Sequence, residues 1–123
     1  MNFPYPLMTH FVKIFVKLVS ALAILAGIAG FFVTDIMGIA TDTIQNVVFI
    51  VIGILGVNAS GTYGKARMFL ILFGLLFGVL AVIGLVNSGN ILGYYQTNVN
   101  GSLLHLRISA IFLIMGLGSR KKA

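Results

Sequence analysis

The sequence predicts an all-α membrane protein: four transmembrane helices arranged as two tandem helical-hairpin repeats, with both termini cytoplasmic. Three observations carry that prediction: the composition, the placement of basic residues between apolar segments, and a correspondence between the two halves of the chain. Of the 123 residues, 59% are hydrophobic and 8% are charged, against about 25% charged in soluble domains. The mean hydropathy is +1.11. A water-soluble fold has too little polar surface to cover so apolar a chain, and one membrane domain spanning residues 1–123 is the organisation expected.

The clearest span is Met68 to Val86, MFLILFGLLFGVLAVIGLV, with no charge and no proline. A helix of about 20 apolar residues, rising 1.5 Å per residue, crosses the ~30 Å hydrocarbon core of a bilayer. Before it, Pro4 and Pro6 predict an extended Asn2 to Pro6, with a helix able to begin near Thr9. Leu18 to Val33 is an uncharged first span. Lys13 and Lys17 precede it as on a signal peptide, but no A-x-A cleavage site precedes Thr34, and the segment reads as an uncleaved anchor. A short polar connection, Thr34 to Thr43, holds Asp35 and Asp42, the only acidic residues. Ile44 to Val57 is a shorter apolar segment opening on Gln45 and Asn46. Asn58 to Lys65 is a turn by composition. Beyond the long span, the uncharged stretch Asn87 to Ser102 leads to a last apolar segment, Leu103 to Gly118.

Four crossings place Lys13, Lys17, Lys65, Arg67, Arg120, Lys121 and Lys122 on one side. Seven of the eight basic residues then obey the positive-inside rule. These seven are the residues expected at anionic lipid headgroups. Both Asp residues fall on the other side. Tyr63, Tyr94 and Tyr95 lie at segment ends, where amphipathic rings favour the interface.

The halves correspond at a shift of 54 to 56 positions: Lys13 with Arg67, Phe15 with Phe69, Ser20 with Gly74, Gly27 with Ala81 and Gly30 with Gly84. DIMG at Asp35 to Gly38 falls on NILG at Asn90 to Gly93, and FIVIG at Phe49 to Gly53 on HLRIS at His105 to Ser109. Repeat 1 covers about residues 11–58 and repeat 2 about 65–118. Each is a hairpin of two spans, so the repeats share one orientation, unlike inverted repeats.

Few residues offer chemistry. Arg107 lies inside an apolar helix, where a charge costs roughly 2.5–3.5 kcal/mol at the bilayer centre on insertion scales. It either snorkels to lipid phosphate, pairs with Asp42 or Asp35, or meets a partner or ligand. Gln45 and Asn46 are further intramembrane polar residues. His105 is a candidate axial ligand for haem iron or chlorophyll magnesium, or a headgroup-level hydrogen-bonding residue. His10 reads as structural. Two stripes of small residues, Ser20, Ala23, Gly27 and Gly30, then Gly74, Gly78, Ala81 and Gly84, permit close helix approach and are expected to pack the two repeats together or to form a subunit interface. The N-x-S patterns at Asn58 and Asn100 read as turn chemistry.

ARMFLILFGLLFGVLAVIGLV followed by ILGYYQTNVNGSLLHLRIS resembles the second half of a bacterial membrane family known as a domain of unknown function, family 4383. GIAGFFV and NVVFIVIGILG resemble its first half. The likeness extends over nearly the whole chain from about Phe11. Phe49 stands where that family often has histidine, and Ser109 where it has glycine. The resemblance implies a four-helix membrane protein and brings no activity with it.

One intramembrane Arg, two His, two Asp and no Glu or Cys do not converge on an enzyme. No metal site and no nucleic-acid partner is expected either. The function expected is a non-catalytic accessory or structural subunit that packs into a larger membrane complex or homo-oligomer. The alternative is an oligomeric transporter or channel lined by Gln45, Asn46, His105 or Arg107. A lesser alternative is a pigment- or haem-contacting subunit acting through His105. The expected location is a bacterial inner membrane or, in a cyanobacterium, the thylakoid.

Overall fold

The computed structural model describes residues 5–33, 35–36, 38–40, 42–88, 90–91, 93, 95–96 and 98–118. Among them are four α-helices: α1 (Tyr5–Gly30), α2 (Thr43–Ala59), α3 (Tyr63–Val86) and α4 (Val99–Gly118). Two-residue ladders interrupt the connections. β1 (Asp35–Ile36) pairs antiparallel with β2 (Ile39–Ala40) between α1 and α2, and β3 (Asn90–Ile91) with β4 (Tyr95–Gln96) between α3 and α4. Both turns need a left-handed residue and both have glycine there, Gly38 at φ +83° and Gly93 at φ +81°.

Three helices are long and apolar enough to cross a membrane: α1 over Met8–Gly30, α3 and α4. The fourth, α2, has 17 residues, about 26 Å at 1.5 Å per residue. Large apolar side chains are exposed on every helix, among them Leu22 and Leu25 on α1, Ile54 on α2, Val79 and Val82 on α3 and Ile114 on α4. Such a surface is compatible with hydrocarbon and not with water.

Helix ends follow local chemistry, and they correct three expected boundaries. The first helix starts at Tyr5, with Pro6 in its first turn, where a missing N–H removes no helical hydrogen bond. Asn2 and Pro4 lie outside the described residues. The Asp42 carboxylate accepts from the Ile44 N–H at 2.9 Å and starts α2. Helix α2 continues through Asn58 to Ala59, and Thr62 caps α3, so the turn is only Ser60 to Thr62. Ser60 closes α2 by donating its N–H to the Gly56 carbonyl and its hydroxyl to that of Val57. Asn98 accepts from the Gly101 N–H at 2.8 Å, which starts α4 four residues before the predicted Leu103.

The packing is hairpin within hairpin. Gly27 approaches Asn46 and Ile50, while Gly53 approaches Ser20 and Ile24, so α1 and α2 run antiparallel in close contact. Gly74 faces Phe112 and Leu113, Gly78 faces Ser109, and Gly116 faces Leu70 and Ile71, which gives α3 and α4 the same relation. The small-residue stripes therefore hold each hairpin together, with Gly30, Ala81 and Gly84 buried and Ala23 half-buried. This corrects the expectation that they pack one repeat on the other. That contact is instead aromatic: Phe15 of α1 meets Phe112 of α4 edge-on with centroids 6.2 Å apart, and Phe49 of α2 meets Phe77 of α3 and His105 of α4 at 6.3 and 6.4 Å. At the far end, Asn98 and Asn100 each donate a side-chain N–H to the Gly38 carbonyl at 2.9 Å.

Burial repeats along the chain. Val12, Val16, Ser20, Gly27 and Gly30 of α1 are buried, and so are Ala66, Leu70, Gly74, Ala81 and Gly84 of α3, each 54 positions later. Gln45, Asn46, Gly53 and Gly56 of α2 have buried counterparts in α4 at Gly101, Ser102, Ser109 and Phe112, each 56 positions later.

Candidate functional site

His105 is the most unusual side chain in the bundle. It is 1% exposed, and its ring lies against Phe77 with centroids 5.5 Å apart and edge-on to Phe49 at 6.4 Å. Its Nδ1 has no hydrogen-bond partner. A buried polar atom normally has one, because leaving it unsatisfied costs about 1–3 kcal/mol. The side chain thus lies inside the helix bundle and not on its outer surface. An axial ligand to haem or chlorophyll needs a ring nitrogen that the group can reach, and here Nδ1 is buried and the ring packs on Phe49 and Phe77.

The other polar candidates do not join it on one surface. Gln45 and Asn46 are buried at the start of α2, with the Asn46 amide group against Gly30. The Gln45 Oε1, Ser20 Oγ and Ser102 Oγ atoms are buried without hydrogen-bond partners. Arg107 points the other way and is exposed on the outer face of α4. Asp42 is engaged as the α2 cap, and the Asp35 side chain lies outside the described residues. Among the described residues no ion pair joins Arg107 to an acid. No group of three or more His, Cys, Asp or Glu side chains among those residues could hold a metal ion.

At the opposite end, Arg67 is half-buried and its Nε–H donates to the Gly116 carbonyl at 2.8 Å. A cation at the last turn of a helix meets both an orphan carbonyl and the negative end of the dipole. Arg67, expected at lipid headgroups, is thus also a clamp between α3 and α4. Lys17 and Lys65 are exposed and Lys13 is half-buried. Arg120, Lys121, Lys122 and Tyr94 lie outside the described residues, as does the side chain of Tyr95.

Sequence reasoning missed one feature. An apolar cleft of about 310 Å³ separates α1 from α4, with Phe15, Val19 and Ala23 on one wall and Leu104, Ile108 and Ile111 on the other. Phe77 and Phe112 form part of its floor. The signal was available in the sequence at a shift of 54 positions, where Val19, Ala23 and Ala26 of α1 fall on the bulkier Phe73, Phe77 and Leu80 of α3. Side-chain volume is missing on one side of the pair, and a space stands there. A shallower groove on the outside, between α3 and α4, is lined by Leu75, Gly78, Val79, Val82, Ser109 and Leu113 among others.

No curated protein matches this chain, and no solved structure matches it. One family does, the "Domain of unknown function (DUF4383)", over residues 13–118. That span takes in α1 from Lys13 onward and the whole of α2, α3 and α4, and the chain belongs to the DUF4383 family.

Proposed function

We propose that this protein is a non-catalytic integral membrane subunit that crosses the bilayer four times and packs, through its outer surface, into a larger membrane assembly or its own oligomer. The groove at Gly78 carries the reading. Between α3 and α4, Gly78 and Ser109 leave the surface indented, and the surrounding Leu75, Val79 and Val82 are apolar. In hydrocarbon, where apolar contact alone drives no association, small residues at a surface indentation let a neighbouring helix approach closely.

The four-crossing arrangement is supported by the antiparallel helix pairs and by the segregation of charge. Lys65 and Arg67 sit with the α2–α3 turn, whereas Asp42 sits with the ladders at the other end. The recurrence of buried positions at 54 and 56 residues supports a tandem duplication. On this reading both termini face the cytoplasm, and the membrane is a bacterial inner membrane or a thylakoid. A channel lined by Gln45, Asn46, His105 and Arg107 finds less support, since the first three lie inside the bundle and Arg107 outside it.

The test is extraction from native membranes in mild detergent, followed by mass spectrometry of co-purifying proteins. A stoichiometric membrane partner or a defined homo-oligomer, lost on Gly78→Leu, is the expected result. A monodisperse monomer whose behaviour Gly78→Leu leaves unchanged contradicts the subunit reading.

A further inference from the structure

We propose that the cleft between α1 and α4 holds the acyl chain of an anionic membrane lipid whose phosphate is bound by Arg107. The proposal rests on the membrane reading above. The cleft is about 310 Å³, roughly twice the ~150 Å³ that accepts a benzene ring in an engineered apolar cavity. Its wall is apolar except for Ser20, whose Oγ turns toward Gly56 of α2. Leu22 and Ile111 line it and are themselves 63% and 48% exposed, so it opens to the surrounding medium. In a bilayer that medium is hydrocarbon, and an open apolar gap left empty forfeits the dispersion contacts of its walls.

Arg107 decides which lipid. On α4 it stands one turn from Leu104 and one turn from Ile111, both in the cleft wall, and is itself exposed. It has no ion-pair partner among the described residues, although a bare guanidinium at this depth is costly. It lies eight residues inside the start of α4, about 12 Å along the helix, and a phosphate drawn to it places the attached chain at the mouth of the cleft. Guanidinium binds phosphate with charge-assisted, often bidentate, hydrogen bonds. The chain then runs along Val19 and Ala23 toward Phe15 and Phe112. Lys17 cannot serve instead, since at 100° per residue it lies about 160° round α1 from Val19.

The experiment places the full chain in nanodiscs of equimolar phosphatidylglycerol and phosphatidylcholine, and reads retained lipid by native mass spectrometry after gentle release. The wild-type protein is expected to retain one lipid, enriched in phosphatidylglycerol by about tenfold, because the choline ammonium of phosphatidylcholine offsets the phosphate charge that the guanidinium meets and phosphatidylglycerol has no such cation. Arg107→Gln, on the surface, should abolish the enrichment, and Ala26→Leu, which copies Leu80 of the other repeat, should remove the retained lipid. Lys17→Gln should change neither. Equal retention of both lipids, enrichment that survives Arg107→Gln, or a cleft filled by a second copy of the chain overturns the proposal. The wild-type and Arg107→Gln arms stand even if Ala26→Leu fails to fold. Release of the protein from membranes by alkaline carbonate would instead sink the membrane reading itself.

Discussion

Phe49 and His105 meet edge to face at the centre of the bundle, with ring centroids 6.4 Å apart and planes at 86°. They are 56 positions apart and so occupy the same place in the two hairpins. Phenylalanine fills that place without a polar atom, whereas the histidine buries an unpartnered Nδ1. His105→Leu, close in volume and apolar, should therefore leave thermal stability in detergent unchanged or raise it by up to about 2 kcal/mol. His105→Ala should lower it by about 2–4 kcal/mol through the cavity it opens. A His105→Leu variant as unstable as His105→Ala would show that the imidazole has a partner.

The glycines separate close packing from mere flexibility. A Cβ at Gly53 would stand 2.6 Å from the Ser20 carbonyl oxygen, a backbone atom that cannot move without shifting α1. Gly53→Ala should cost about 1–3 kcal/mol, measured by thermal unfolding. At Gly64 nothing lies within 4 Å, and Gly64→Ala in the first turn of α3 should be neutral or stabilising by up to about 1 kcal/mol.

Arg67 joins the start of α3 to the end of α4. Arg67→Leu should destabilise the second hairpin by about 1–2 kcal/mol, because the Gly116 carbonyl loses its donor. Arg67→Lys keeps the charge near the helix end and should recover part of that loss. Hydrogen exchange confined to the last turn of α4 is the measurement that reports it.

Asp42 and Arg107 test whether the acid is a cap or a counter-ion. Asp42→Asn keeps the cap and should be nearly silent, while Asp42→Ala should cost about 1 kcal/mol. Combining Asp42→Asn with Arg107→Gln should give an additive result. A coupling above about 0.5 kcal/mol would mean that the two charges are paired.

The four helices were legible in the sequence, because apolar runs and flanking charges are local signals. The longer reach of α1 past Pro6 and of α4 back to Val99 was hidden, since capping by Asn98 and a proline in a first turn read as loop chemistry until the backbone is seen. The burial of His105 was hidden for a different reason. Its distance from the helix end suggested a headgroup, but its neighbours come from α2 and α3, and no pattern within α4 reveals them. The α1–α4 cleft was legible in principle, as Val19, Ala23 and Ala26 against Phe73, Phe77 and Leu80, but only once the register of the two hairpins is applied to side-chain volume.

The central claim, that all four helices cross the membrane, is tested most directly by where the connections lie. The chain has no cysteine, so single cysteines at Val33, Gly61 and Ser88 can be labelled with a membrane-impermeant maleimide in inside-out and right-side-out vesicles. Gly61→Cys should react only from the cytoplasmic side, and Val33→Cys and Ser88→Cys only from the other. Reaction of Val33→Cys and Gly61→Cys from the same side would mean that α2 does not cross, and the four-span account would be wrong.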